Sequence, residues 1–206
     1  MDVFRKLAVS FNVLILGSNE EHLENETGIV FLANFDYFDS DLQLHLIANA
    51  ALLIGSVSGT THLTSITQTP CLVFDVVTLE SSATSCKSRF VFKTLASSID
   101  DTPISFDPYM MIIGYKHYMH PDTVSHSLTE LGYNFVRVEP EFLLLCITDF
   151  LQDLGEISDM SPNQQRPWKA SLDTKLSERL LEYKNRFHEL GICVPYPHEI
   201  YYDTTR

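Results

Sequence analysis

Ser56-Val57-Ser58-Gly59-Thr60-Thr61-His62 brings four hydroxyls, an imidazole and a residue without a side chain into seven positions. Hydroxyls donate hydrogen bonds, and glycine lets a ligand approach the backbone. A helix starting at this point adds unpaired N–H groups and the positive end of its dipole. An anion fits such a turn, and phosphate is the commonest one. A purely structural role competes, because a strand has to hand over to a helix and Ser or Thr is the ordinary N-cap.

The flanking residues decide where the turn lies. Residues 51–76 read ALLIGSVSGTTHLTSITQTPCLVFDV. Four apolar residues precede Gly55, a short helix-compatible segment follows the hydroxyls, and a second apolar run begins after Pro70. Apolar runs without alternation fit strands buried on both faces, as in a parallel sheet. The turn therefore falls at the carboxyl end of a strand, where open α/β sheets hold their ligands.

Upstream, Asp2 to Ser10 reads as a short amphipathic helix and FNVLILG at 11–17 as a strand. Opening on a helix that already needs a sheet to pack on suggests a cut through a larger protein. Asn19 to Asn25 is an acidic loop or helix, GIVFLANF at 28–35 a second strand, and Asp39 to Ala50 a helix with Asp39 at its N-cap. This alternation predicts an α/β domain with a doubly wound, mostly parallel sheet, helices on both faces and right-handed crossovers. From 78 to 133 the pattern weakens into a mixed segment with three prolines, expected to be irregular. Glu139 to Leu154 is a clear helix, SPNQQRP a linker, Leu172 to Leu190 a second, more charged helix, and the tail from Gly191 is rich in proline and tyrosine. The expected division is 1–155 as one Rossmann-like domain and 156–206 as linker, helix and tail.

Composition narrows the partners. The 206 residues are 45% hydrophobic and 20% charged, an ordinary globular balance. Fourteen Lys and Arg against 27 Asp and Glu give a net charge of −13, which argues against duplex nucleic acid or an anionic membrane as the main partner. No apolar run approaches the roughly 18–20 residues of a membrane span. The four cysteines have no paired spacing, so neither zinc nor a disulfide framework is expected, and a reducing cytoplasmic compartment is.

The stretch DLQLHLIANAALLIGSVSGTTHLTSITQTPCLVFDV resembles the nucleotide-sugar-binding, C-terminal half of GT-B glycosyltransferases, where a helix, a strand, a Gly-x-x-Ser-Gly-x-x-His turn and a Pro-led strand recur, as in heptosyltransferases. More narrowly, FDYFDSDL at 35–42, the SVSG turn, RFVFKTL at 89–95 and VEPEFLLLCITDFLQDL at 138–154 are similar to successive landmarks of a bacterial glycosyltransferase-like family known mainly from sequence. The resemblance covers about residues 11 to 154. It implies a Rossmann-like half of a GT-B fold with additional C-terminal helices. It also implies a nucleotide-sugar donor as ligand, and an acceptor domain supplied by another part of a longer chain or by a partner chain. The enzyme would then be inactive as this chain alone. Heptosyltransferases usually carry Asp before the Ser-Gly pair; here that position is Val57, preceded by Ser56, which suits the narrower family better.

Carried over position by position, the resemblance sets the donor diphosphate against Ser58, Gly59, Thr60 and Thr61, with Ser56 beside them and His62 one step further along the helix. His62 has two readings, a donor to a phosphate or ribose oxygen or a half-buried packing residue. Asn34, Asp36 and Tyr37 follow the second strand and would read base or sugar, while capping and turn roles compete for Asp36 and Asp39. Lys93 is a candidate partner for the donor phosphates; a solvated loop charge is the alternative, for it and for Arg89 alike. His117, His120 and His126 lack a regular element to present them as metal ligands, and no Asp-x-Asp triplet occurs, so no metal and no cofactor are expected. The leading expectation is sugar transfer to an unknown acceptor; the other is a non-catalytic nucleotide or nucleotide-sugar binding module. An epimerase of the GT-B-like sort would need acidic catalytic residues that nothing here supplies.

Overall fold

The computed structural model describes residues 1–17, 24–77, 88–104, 126, 128–155, 169–171 and 199–201. Helix α1 (Asp2–Leu7) leads into β1 (Val13–Ile15), which pairs in parallel with β2 (Ile29–Phe31). A single 3-10 turn (Leu32–Asn34) and α2 (Ser40–Ala48) follow. Next come β3 (Leu53–Ser56), the short helices α3 (Gly59–His62) and α4 (Thr64–Thr67), and β4 (Cys71–Val76). Beyond them lie β5 (Ser88–Phe92), β6 (Thr94–Ser97), β7 (Tyr133–Val136), α5 (Pro140–Asp153), β8 (Lys169–Ser171) and β9 (Glu199–Tyr201).

The main sheet has the order β3-β4-β5-β9-β8, parallel throughout except for β8, which runs against β9. The mixed α/β architecture with mostly parallel strands matches the sequence expectation, and two details correct it. First, β1 and β2 form a separate two-stranded sheet, and β6 pairs antiparallel with β7 in a third. Second, residues 88–97, within the stretch expected to be irregular, form β5 and β6, and β5 is an interior strand of the main sheet. The rest of that stretch at 78–87 and 105–125, the acidic segment at 18–23 and the expected helix from Leu172 to Leu190 lie outside the described residues. The expected tail contributes β9, which pairs Ile200 with Phe90 and Tyr201 with Val91. Strands from 156–206 thus complete the sheet begun within 1–155.

Alternate side chains of β4 and β5 point to opposite faces of the sheet, and each face carries a core, so successive residues of Cys71–Phe74 and Phe90–Phe92 are apolar. Cys71, Val73, Phe90 and Phe92 point into one core, which α2 closes with Ile47. Leu72 and Val91 point into the other, against Cys146, Ile147, Phe150 and Leu151 of α5. Val3 and Leu7 of α1 pack on this second core. A bidentate, solvent-exposed pair from Arg5 to Glu26, at 2.8 Å for each contact, ties α1 to the approach to β2. Its hydrogen bonds hold the Glu26 carboxyl below, and the Arg5 guanidinium above, their ordinary ranges. Gly28 is required at this junction. Its φ is +78°, and a Cβ there would stand 2.9 Å from the Ala8 carbonyl oxygen.

Arg89 interrupts β5 and holds α5 in place. Its guanidinium contacts Asp149 at 3.4 Å and Asp153 at 2.5 Å, and lies 4.5 Å from the centroid of the Phe150 ring. Asp149 is fully buried, so this charge is matched within the interior rather than by solvent. Among the described residues, no helix is long and apolar enough to cross a membrane.

Two outcomes follow from these packings. Arg89→Leu leaves the Asp149 carboxylate buried without its cation and is expected to lower unfolding stability by about 3–5 kcal/mol in urea titrations, most of it recovered when Asp149→Leu is added. Burial pushes the Cys71 thiol up to about 12 from an ordinary 9.0. Between those two pH values the unfolded chain ionises this thiol and the folded chain does not, so the stability it contributes is full below pH 9 and is lost as pH rises towards 12. Cys71→Val should flatten that alkaline decline, and at pH 8 native Cys71 should resist alkylation in peptide mapping.

Candidate functional site

Strand β3 enters the turn through Gly55, the position where the local fold has least room. A Cβ on Gly55 would stand 2.8 Å from Cγ2 of Thr61, so glycine is what allows the start of α3 to lie against the strand it has just left. Ser58 is the N-cap. It has extended backbone angles, and its hydroxyl oxygen accepts from Thr61 N–H at 3.5 Å. Thr61 reciprocates, its hydroxyl oxygen accepting from Ser58 N–H at 3.1 Å. The result is a capping box with threonine in the place of the usual Glu or Gln.

Thr61, expected from the sequence as a ligand contact, is turned inward. Its side chain is buried, and its hydroxyl proton is directed to the backbone carbonyls of Ser58 at 2.8 Å and Ser56 at 3.3 Å. The hydroxyl closes the turn from inside. Thr64 continues the pattern by donating to the Thr61 carbonyl at 2.6 Å, and the Thr69 hydroxyl donates to the Ile47 carbonyl at 2.8 Å, which anchors the approach to β4 on the end of α2.

The other residues of the turn face outward. Ser56, Ser58, Gly59 and His62 are exposed, and Thr60 is half-buried. The N–H groups of Gly59 and Thr60, first and second in α3, have no hydrogen-bond partner among the described residues. An added Cβ on Gly59 meets nothing within 4 Å, and Gly59 is not among the positive-φ glycines. Its missing side chain therefore leaves open space over the turn and relieves no backbone strain. Thr60 is joined to α2 by a 3.4 Å hydrogen bond from the Gln43 side-chain amide, a contact the sequence reading did not identify.

Parallel register brings further groups to the same edge. Ser56 pairs with Phe74, so Asp75 and Val76 follow beside the turn. Phe92 pairs with Val76, and the N–H of Lys93 donates to the Val76 carbonyl at 2.9 Å. Lys93 is half-buried and holds its ammonium 5.9 Å from the centroid of the Phe135 ring in β7. Asp75 is not among the residues expected from the sequence, where its one signal is a carboxylate ending the apolar run from Cys71 to Phe74.

Asn34, Asp36 and Tyr37 follow β2, in the separate two-stranded sheet. All three are exposed. The Tyr37 ring lies 5.4 Å from that of Phe35, tilted 45° to it, and neither Asp36 nor Tyr37 is joined to the turn by a hydrogen bond or ring contact among the described residues. Asp39 caps α2, its carboxylate accepting from Leu42 N–H at 2.8 Å, as its position before the helix suggested. Among the described residues no three His, Cys, Asp or Glu side chains are grouped as a metal ion would require. His117 and His120 lie outside those residues, and His126 makes an exposed contact with Glu130.

Comparison of the chain with protein-family models, with curated proteins and with solved structures returns no match.

The capping box generates a direct expectation. Thr61→Ala removes the bond to Ser58 N–H and the hydroxyl bonds to the Ser56 and Ser58 carbonyls, of which the second keeps the His62 N–H, so it should lower stability by about 0.5–2 kcal/mol in chemical denaturation. An unchanged unfolding midpoint, combined with weakened ligand binding, would return Thr61 to the role expected from the sequence.

Proposed function

We propose that this chain is a Rossmann-like, GT-B-type donor-binding unit that holds the diphosphate of a nucleotide sugar at the carboxyl edge of its main sheet. The observation that carries the reading is the β3–α3 turn. Two adjacent N–H groups without partners, the exposed Ser58 hydroxyl and the open space over Gly59 meet at the end of a parallel strand. That is where open α/β sheets bind ligands, and Lys93 ends a neighbouring stretch of the same edge.

In sugar transfer the bond between the anomeric carbon and the diphosphate oxygen breaks, and its electron pair leaves on that oxygen. An acceptor oxygen forms the new bond and gives its proton to a base supplied with the acceptor. The groups at this edge act on the leaving side. Fixed N–H donors, a hydroxyl and an ammonium stabilise the negative charge as it grows on the diphosphate. Helix α3 is four residues long, so individual N–H groups contribute more here than a summed dipole does. The same groups hold a nucleotide sugar without transferring it, and turnover with an acceptor separates an enzyme from a binding module.

Gly59→Val tests the site with little risk to the fold, because the added side chain enters open space and the backbone is not left-handed. Calorimetry with nucleoside diphosphates should show binding by the parent and none by Gly59→Val, with unfolding midpoints that agree closely. Equal affinity in the two proteins would remove the diphosphate from this turn.

A further inference from the structure

Two large aliphatic side chains stand in solvent at one end of the antiparallel pair formed by β6 and β7. Ile99 is 91% exposed and Leu131 60%. Each lies on a turn, and the turns are joined, because the Ser98 N–H donates to the Gly132 carbonyl at 2.9 Å, one step beyond the ladder pair of Ser97 with Tyr133. Aliphatics exposed singly need no explanation, whereas two on turns bonded to each other make a patch whose burial by a partner is favourable.

Neither turn is loosely held. The Ser97 hydroxyl oxygen accepts from Ile99 N–H at 3.2 Å, and the Ser97 carbonyl accepts from Asp101 N–H at 3.0 Å. The chain then returns along β6, where the Ser97 N–H donates to the Thr102 carbonyl and the Ile104 N–H to the Leu95 carbonyl. On the other side the Leu131 N–H donates to the Leu128 carbonyl, and Gly132, at φ +82°, closes that helical turn with its N–H on the Thr129 carbonyl. Leu95 and Leu128 are buried in the first core, and Tyr133 and Phe135 pack against it. The patch is therefore a fixed projection rooted in the core, and little ordering of its backbone opposes binding.

Charge around the patch narrows what can cover it. Asp100 and Asp101 follow Ile99 directly and Glu130 precedes Leu131, all three exposed. Hydrogen bonds from Ser97 and Thr102 hold the Asp100 carboxyl below its ordinary range. His126 contacts Glu130 at 3.4 Å, and both are exposed. Lys93 and Arg137 lie at the opposite end of the pair, next to Thr94 and its partner Val136. A second copy of the chain would set the same carboxylates against these and add another charge of −13, and an anionic membrane is repelled in the same way. Aliphatic side chains flanked by Lys or Arg complement both the patch and its rim.

We propose that the tip bearing Ile99 and Leu131 is a docking surface for a basic protein segment. Such a segment sets aliphatic side chains over these two residues and cations against Asp100, Asp101 and Glu130. The surface shares no residue with the β3–α3 turn, and it stands whether or not a diphosphate binds there.

The probe is a synthetic amphipathic helix of leucine and lysine, compared by calorimetry with the same peptide carrying glutamate for every lysine. The parent should bind the first and not the second. Ile99→Ser with Leu131→Ser should weaken binding about 10- to 100-fold, the loss of one to two buried aliphatics. Val9→Ser, at a position 85% exposed elsewhere, should leave it unchanged. Asp101→Asn with Glu130→Gln removes two charges and keeps the shape, since Asn tolerates the φ of +54° at 101. That pair should flatten the salt dependence of binding. Thermal midpoints of all these variants should stay within about 2 °C of the parent, because the replaced groups lie in solvent. A large drop for Ile99→Ser with Leu131→Ser would make the two residues structural and overturn the proposal. So would a lysine peptide that does not bind, or that binds the parent and the tip variants alike. Dimerisation of the parent in sedimentation, abolished in the tip variant, would assign the patch to a second copy instead. Binding to phosphatidylcholine vesicles, lost in the same variant, would assign it to a lipid surface and equally displace the basic partner.

Discussion

The parallel pairing of β3 with β4 is the constraint from which the rest of the edge follows. Strands that run the same way cannot be joined by a tight hairpin; the chain has to travel back along one face before it re-enters the sheet. Here that return spans only the residues between Ser56 and Cys71, and two four-residue helices fill it. So short a crossover has to begin folding back at once. Gly55 and the Ser58–Thr61 capping box make that possible, one by removing a clash and the other by satisfying the first backbone groups internally. What remains exposed, the Gly59 and Thr60 N–H groups and the Ser58 hydroxyl, is what an economical strand-to-helix handover leaves over. The candidate site and the start of this crossover are the same few residues.

How much of this was legible in the sequence depends on the range of the interactions involved. Local chemistry reads well. Asp39 at the cap of α2, Pro140 at the start of α5, and the unbroken apolar runs of β3 and β4 all carry their cause within a few residues. Strand β5 does not, because Arg89 breaks its apolar pattern, and the acids that make an arginine tolerable there lie on α5, far along the chain. Strand β9 is three residues in a proline- and tyrosine-rich tail and is defined by its partner rather than by its own composition. At the site, the sequence supplies the hydroxyls but not their directions. Nothing in Ser-Gly-Thr-Thr distinguishes the threonine turned inward from the one left at the surface. The left-handed conformation of Asp75 within β4 was hidden for a related reason, since it is a property of the ladder and not of the residue.

Charge is arranged with the same economy. The chain carries a net −13, yet Arg89 and Arg5 are both committed to carboxylates, one in the interior and one at the surface. Affinity for an anion then depends on short-range donors rather than on the overall field, which is unfavourable and which salt screens beyond about 10 Å. Hydrogen bonds act at contact distance and are little affected by that field. An acidic protein can therefore hold a phosphorylated ligand, provided the donors are fixed in advance by the backbone.

The place of β9 in the sheet bears on how the molecule comes together. Strands β3, β4 and β5 are joined through modest separations in sequence, whereas Phe90 has to find Ile200 across most of the remaining chain. Closing a loop of that size costs entropy before any contact repays it. The side of β5 that β9 covers is thus the slow side, presenting unpaired N–H and C=O groups in the meantime to any other extended segment that arrives first. Through that interval the half-built sheet is open to exchange of a strand with a neighbouring molecule, a hazard set by connectivity and independent of how well the finished core is packed.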